Sequence, residues 1–195
     1  MSISNKSVND AVDDGEPPLG GRTSIKYREQ IAILDYDLSW QDILKNSLTT
    51  AEQIAEKTGL KIEEIRDVVD KYPACINPYY FSLIKEKNDP IWLQCMPDKR
   101  ELEDKTCFVD PLCEDNQSPV LGVITHRYPD RVLFLVCNQC AMYCRFCTRK
   151  RKIGDSFKDI TWEQIMDGVQ YIRDHHEIRD VILSGGDPLL LPTKI

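Results

Sequence analysis

Two short apolar runs with one amphipathic stretch between them restrict this chain more than any other feature. Val132-Leu133-Phe134-Leu135-Val136 is continuous and of strand length. A strand apolar on both faces must be covered on both, which suits a central parallel strand. Thr161 with Gln164 then forms a capping-box pattern ahead of one helical stripe, Trp162, Ile165, Met166, Val169 and Ile172. Val181-Ile182-Leu183 reads as a second buried strand, ending at Ser184-Gly185-Gly186. Strand, helix, strand is one right-handed βαβ unit, so the fold class is α/β. Two parallel strands alone have open edges and too little core. The sequence therefore predicts either the start of a partial, TIM-like (β/α) barrel, with the chain truncated, or a partner that completes the sheet.

The remainder divides by composition. Residues 1–24, with Asp13-Asp14-Gly15-Glu16-Pro17-Pro18, are acidic and rich in Gly and Pro, and predict a disordered tail. Residues 25–118 form a helical and irregular region, and residues 119–195 the βαβ unit. Within 25–72, Leu38-Ser39-Trp40 opens a short amphipathic segment. Thr50 with Gln53 is a second capping box, Gly59 fits a left-handed stop, and Ile62, Ile65, Val68 and Val69 share a face of a helix ended by Pro73. This pair resembles a helix-turn-helix, but residues 51–72 carry six acids against four bases, which opposes entry into a polyanionic groove. A helical hairpin packed on the main body is the favoured reading. From residue 73 to about 125 prolines are frequent, predicting an extended connection with short helices near Tyr79–Ile84.

The chain carries a net charge of −7, a poor basis for a nucleic-acid coat or membrane-surface binder. Its longest purely apolar run, Val132 to Cys137, falls far short of the about 20 residues that span a membrane. The first residues show no basic stretch followed by an apolar one, so no secretory signal is read and the expected location is the cytoplasm. There the eight cysteines are expected as metal ligands, catalytic groups or buried thiols rather than disulfides.

Cys140-Ala141-Met142-Tyr143-Cys144-Arg145-Phe146-Cys147 is the sharpest chemical signal. Three thiols at x3 and x2 spacing, on a loop leaving a buried strand, suit an iron–sulfur cluster with one iron left without a protein ligand. Adding Cys137 gives C-x2-C-x3-C-x2-C, a possible closed four-thiolate site serving an interaction role. Its place at the end of the apolar strand favours a buried thiol instead. Cys75, Cys95, Cys107 and Cys113 lack tight ligand spacing and read as structural thiols. Ser184-Gly185-Gly186-Asp187 closes the second strand at the same end, where ligands gather in parallel α/β folds. Arg145, Arg149, Lys150, Arg151 and Lys152 form a basic run; at least one arginine there suits a carboxylate. Arg127, Tyr128 and Arg131, just before the first strand, suit a phosphate or ion pairs with nearby acids such as Asp130. His175 and His176 follow a helix and read as solvent-facing.

Taken together, His126-Arg127-Tyr128-Pro129-Asp130-Arg131, Cys140 to Arg149 and Leu183-Ser184-Gly185-Gly186-Asp187 resemble the lysine 2,3-aminomutase family of the radical S-adenosylmethionine (SAM) superfamily. Lys71-Tyr72-Pro73 and Asn77-Pro78-Tyr79-Tyr80 are similar to it as well. The resemblance covers roughly residues 25–191. It implies that Cys140, Cys144 and Cys147 hold a [4Fe–4S] cluster, and that Ser184, Gly185, Gly186 and Asp187 line the site of S-adenosylmethionine. It implies that Arg127, Tyr128 and Arg131 hold the phosphate of pyridoxal 5′-phosphate, and that Arg149 pairs with a small amino-acid substrate. The implied reaction moves an amino group from C2 to C3, with a reducing electron donor and possible homo-oligomers as partners. No lysine here matches the family's Schiff-base lysine, expected past Ile195, so an inactive remnant is the alternative to an enzyme.

Overall fold

The computed structural model describes residues 39–106, 108–120, 122–155 and 159–192. The expected tail, residues 25–38 and Cys107 lie outside them. The first part of the chain is a set of short helices whose ends are fixed by local chemistry. Helix α1 (Trp40–Lys45) starts where Ser39 Oγ accepts the Asp42 N–H. Helix α2 (Ala51–Thr58) carries the full capping box, with Thr50 and Gln53 each accepting the other's backbone N–H, and stops at Gly59 with φ 74°. Helix α3 (Ile62–Lys71) ends one residue before Tyr72-Pro73, as the restriction on a residue preceding proline requires. Ile65 and Val68 are buried on its inner face, and the supposed recognition helix spends Arg66 on an ion pair with Glu52 of α2 at 2.7 Å.

Between residues 73 and 106 the connection is more ordered than its prolines suggested. Helix α4 (Pro78–Ser82) falls where a short helix is expected, and it is capped by Asn77. Helices α5 (Pro90–Cys95), capped by Asp89, and α6 (Arg100–Glu103) were not anticipated. The pair Asp89-Pro90 is itself a start signal, an N-cap followed by proline at the first helical position. A core of Ile54, Ile65, Ile76, Phe81, Ile84 and Trp92 joins these helices, and Met142 from the cysteine loop packs on it.

The sheet has three strands in the order β1 (Ile124–Tyr128), β2 (Arg131–Cys137), β3 (Asp180–Gly185). Strands β2 and β3 are parallel and paired from Arg131↔Asp180 to Cys137↔Gly185, with helix α7 (Trp162–Asp174) as the crossover. The βαβ unit is therefore present. Strand β1, antiparallel to β2 through a tight Pro129-Asp130 turn, is an addition. Ile165, Val169 and Ile172 of α7 pack on Val132 and Phe134, while Trp162 and Met166 stay exposed. Close approach is possible because Gly168 faces the Phe134 ring; a Cβ there would sit 2.7 Å from it.

Two expectations are corrected. Val181, Ile182 and Leu183 are not buried but 40%, 54% and 58% exposed. Strand β3 lies at the sheet edge, and among the described residues nothing covers its apolar run. His175 is half-buried rather than solvent-facing: it stacks on Tyr171 at 3.9 Å, and His126 Nδ1 lies 2.7 Å from the Tyr171 hydroxyl. His176 is exposed.

Candidate functional site

The cysteine loop starts where β2 ends. The chain bends at Asn138, which is buried; its Nδ2 donates to Asp155 O at 2.9 Å and its carbonyl accepts from Gly154 N at 2.9 Å. Beyond it the loop has no helix or strand, so its shape is set by residues outside it. Asn77 Nδ2 donates to Ala141 O at 3.0 Å. Tyr143 N donates to Cys75 O and Arg145 N to Gln94 O, at 2.9 and 2.8 Å. The Arg145 side chain, between the second and third thiols, is buried. It donates to both oxygens of Glu101 at 3.0 and 2.9 Å and to the Pro73 carbonyl at 3.0 Å. Lys150 reaches the same Glu101 at 3.3 Å.

Across from the loop stands the end of β3. Gly186 N donates to Cys137 O at 2.8 Å and Asp187 N to Gln139 O at 2.7 Å, so the ladder runs on past both strands. Both glycines are steric necessities: a Cβ on Gly185 or Gly186 would lie 2.1 Å from Cys137 O or Gln139 O. Ser184, Gly185, Gly186 and Asp187 thus flank the thiol loop. Asp187 also caps the turn Pro188–Leu190 by accepting from Leu189 N at 3.0 Å.

Cys140, Cys144 and Cys147 are half-buried on this one loop. The Cys140 thiol is pushed up to about 12, first by burial, then by Cys147, Cys144 and Cys137, and last by Asp187. Burial and the neighbouring Cys147 raise Cys144 as well. Burial keeps Cys140 and Cys144 protonated unless positive charge joins them, and a metal centre is the usual source. Among the described residues no three His, Cys, Asp or Glu side chains close round a single ion. A cubane binds each thiolate through a different iron, so its ligands stand further apart, and three thiols on one loop fit it. Arg149 N already donates to Cys147 Sγ at 3.3 Å. Cys137 is buried, as expected of a strand thiol, and its Sγ turns toward Gln139 O at 3.7 Å. Cys95 is buried and Cys75 half-buried, but Cys113 is exposed, against its reading as a structural thiol.

The basic run is matched by acids from elsewhere. Arg149 donates through Nε and Nη2 to the two oxygens of Glu114, at 2.9 and 2.5 Å. Arg151 pairs with Asp110 and Asp115, and Lys152 with Asp115. Glu101 and Glu114 are the site residues that sequence reasoning missed. Five bases within eight residues of an acidic chain signal that acids must approach; nothing local says which. A cavity of about 440 Å³ opens at the carboxyl end of β2, lined by Leu135, Cys137, Arg149, Lys152 and Gly185.

Arg127, Tyr128 and Arg131 gather elsewhere. They flank the β1–β2 turn, with the Arg131 guanidinium 5.8 Å from the centre of the Tyr128 ring and Arg127 Nη1 donating to Leu112 O at 3.4 Å. They stand at the amino end of β2, a full seven-residue strand from the thiols, or about 20 Å.

Residues 134–195 match the radical SAM superfamily. The L-lysine 2,3-aminomutase of Methanococcus maripaludis is 43% identical over 187 residues, which cover 89% of this chain and 42% of that protein. That of Clostridium subterminale is 43% identical over 161 residues, 80% of this chain and 38% of the relative. The glutamate 2,3-aminomutase of Clostridioides difficile is 42% identical over 157 residues, 78% and 36%. The chain thus spans about two-fifths of the length of these relatives. Iron–sulfur ligand spacing, a glycine-bounded strand end beside it and this similarity agree: the chain belongs to the radical SAM superfamily and, within it, to the family of the lysine 2,3-aminomutases.

Proposed function

We propose that this chain supplies the cluster-binding part of a radical SAM aminomutase, one that moves an amino group between C2 and C3 of a small amino acid on the first strands of a partial (β/α) barrel. The observation that carries this reading is that the thiol loop leaves the carboxyl end of β2 beside the end of β3, where Gly186 N donates to Cys137 O and Asp187 N to Gln139 O. Cys140, Cys144 and Cys147 would hold a [4Fe–4S] cluster, with one iron left open to S-adenosylmethionine. When bound, the two cofactors supply hydrogen-atom abstraction from an unactivated carbon. The protein's part is placement. Gly185 and Gly186 admit a ligand close to the backbone, and Asp187 presents a carboxylate to an ammonium group. Arg145, anchored on Glu101, pins the loop between its second and third thiols. Arg149, lining the cavity, receives the substrate carboxylate.

Arg127, Tyr128 and Arg131 would hold the phosphate of pyridoxal phosphate in this reading. They lie at the far end of β2, and no step is derived through that group. Among the described residues no helix is long and apolar enough to cross a membrane.

The test is anaerobic reconstitution with iron and sulfide. The expected result is a brown protein with about four iron per chain, whose reduced-state electron paramagnetic resonance spectrum changes on adding S-adenosylmethionine. Cys137→Ala should keep its iron and Cys140→Ala should lose it. A colourless protein holding one zinc that is lost in Cys137→Ala would refute the reading in favour of a closed four-thiolate module.

A further inference from the structure

We propose that Glu114 is a positioning residue that aims Arg149 at the carboxylate of an amino-acid ligand. The inference rests on Arg149 being the carboxylate receptor. Glu114 takes both of its contacts from one edge of the guanidinium, Nε and Nη2. Its side chain is only 6% exposed, so the carboxylate cannot swing out to solvent. Nη1 of Arg149 forms no hydrogen bond among the described residues. A guanidinium clamped along one edge keeps its remaining donors in a fixed plane, and Arg149 lines the cavity beside Cys137 and Gly185. The neighbouring residue repeats the arrangement: Asp115 holds Lys152, the second cation lining the same cavity, at 2.5 Å. Glu114 and Asp115 lead one turn, Asp115–Gln117, which closes through Gln117 N to Glu114 O at 3.1 Å. Two consecutive acids on one rigid turn therefore stand behind the two cations of one cavity.

Glu114 could instead compete with the ligand for Arg149, and the two roles predict opposite signs. Glu114→Gln removes a negative charge, which alone strengthens attraction of a carboxylate to Arg149. Weaker binding can then come only from lost orientation. The experiment titrates the reduced, folded chain with L-lysine and with L-lysinamide, which lacks the carboxylate. The wild type should prefer the acid, and E114Q should lose about tenfold of that preference, the worth of one charge-assisted hydrogen bond. A preference that is unchanged or increased in E114Q overturns the positioning role while leaving Arg149 as receptor. No preference in the wild type removes the receptor itself, and both readings with it. Should E114Q fail to fold, nitrogen resonances of wild-type Arg149, assigned with Arg149→Lys, decide the point. Added L-lysine should move the Nη signals and leave Nε in place; equal movement of Nε means that Glu114 yields to the ligand and overturns the proposal.

Discussion

Gly186→Ala tests whether the site is built by the sheet or merely sits near it. The added methyl would lie 2.1 Å from Gln139 O and 2.6 Å from its carbonyl carbon. Both atoms are backbone, so no side chain can swing away. Ordinary contact begins near 3.4 Å, and the loop must recede by roughly 1.3 Å to reach it. That displacement breaks Gly186 N to Cys137 O and Asp187 N to Gln139 O, now 2.8 and 2.7 Å. Each bond contributes about 0.5–1.5 kcal/mol net, and overpacking adds about 1–3 kcal/mol. A loss of about 2–6 kcal/mol is therefore expected, a large share of the about 5–15 kcal/mol that holds a typical domain. Urea unfolding of the reduced, metal-free chain should show a midpoint about 1–3 M lower, for a slope of about 2 kcal/mol/M. Iron uptake per chain should fall with it. Gly59→Ala is the control: it also strains a positive φ, 74°, but meets nothing within 4 Å, so it should cost about 1 kcal/mol and leave iron uptake unchanged. A G186A protein within about 0.5 kcal/mol of wild type and with full iron uptake would refute the argument that this ladder sets the spacing between thiols and Asp187.

Three further outcomes follow from the same structure. Glu101→Gln leaves the buried Arg145 guanidinium facing a neutral group, and should cost about 3–5 kcal/mol by urea unfolding; a loss below about 1 kcal/mol would show that the pair behaves as an exposed one. Leu183→Lys places a charge on the exposed edge strand and should reduce light scattering at high protein concentration while changing stability by less than about 1 kcal/mol; undiminished scattering would show that β3 is not the sticky edge. Burial, reinforced by Asp89, pushes the Cys95 thiol up to about 12. The unfolded thiol ionises near 8.5–9 while the folded one keeps its proton, so its stabilisation is intact below that range and is lost as pH rises toward 12. From pH 8 to pH 10 the wild type should lose about 1.5 kcal/mol more than Cys95→Ala, and parallel pH profiles would contradict this.

What could be read from the chain was whatever is encoded within a few residues. Thr50 with Gln53 and Thr161 with Gln164 place two helix starts because a capping box is closed by its own turn. Gly59 places a helix end for the same reason. The thiol spacing and Ser184–Asp187 could be located, since both are contiguous. Strand β1 could not. Ile124-Thr125-His126-Arg127-Tyr128 is short and mostly polar, and its identity as a strand comes from pairing with β2. Strand β3 was found, but not its exposure: Val181-Ile182-Leu183 is written for a strand covered on both faces, and that cover is not a property of the strand. Glu101 and Glu114 were invisible because a carboxylate 44 or 35 residues from its arginine leaves no spacing to detect.

The thiol loop ties the helical region to the βαβ unit across residue 118. A cluster needs three sulfurs held in fixed relation, and preorganisation of ligands usually comes from helices or strands. Here the ligands sit on irregular chain, and the rigidity is borrowed. Between Cys140 and Cys144, Ala141 O is held by Asn77 and Tyr143 N by Cys75 O. Between Cys144 and Cys147, Arg145 is held through its backbone by Gln94 and through its side chain by Glu101. Beyond Cys147, Arg149 is held by Glu114. Every interval of the C-x3-C-x2-C pattern, and Arg149 two residues beyond it, is tied to a different part of the first 118 residues. The opposite wall, Gly186 and Asp187, belongs to β3. The proposed cluster would be specified by the spacing only because the helices before the sheet hold the loop against the strand ends, so the prolines and caps of residues 73–106 are part of the site's construction rather than a connection to it.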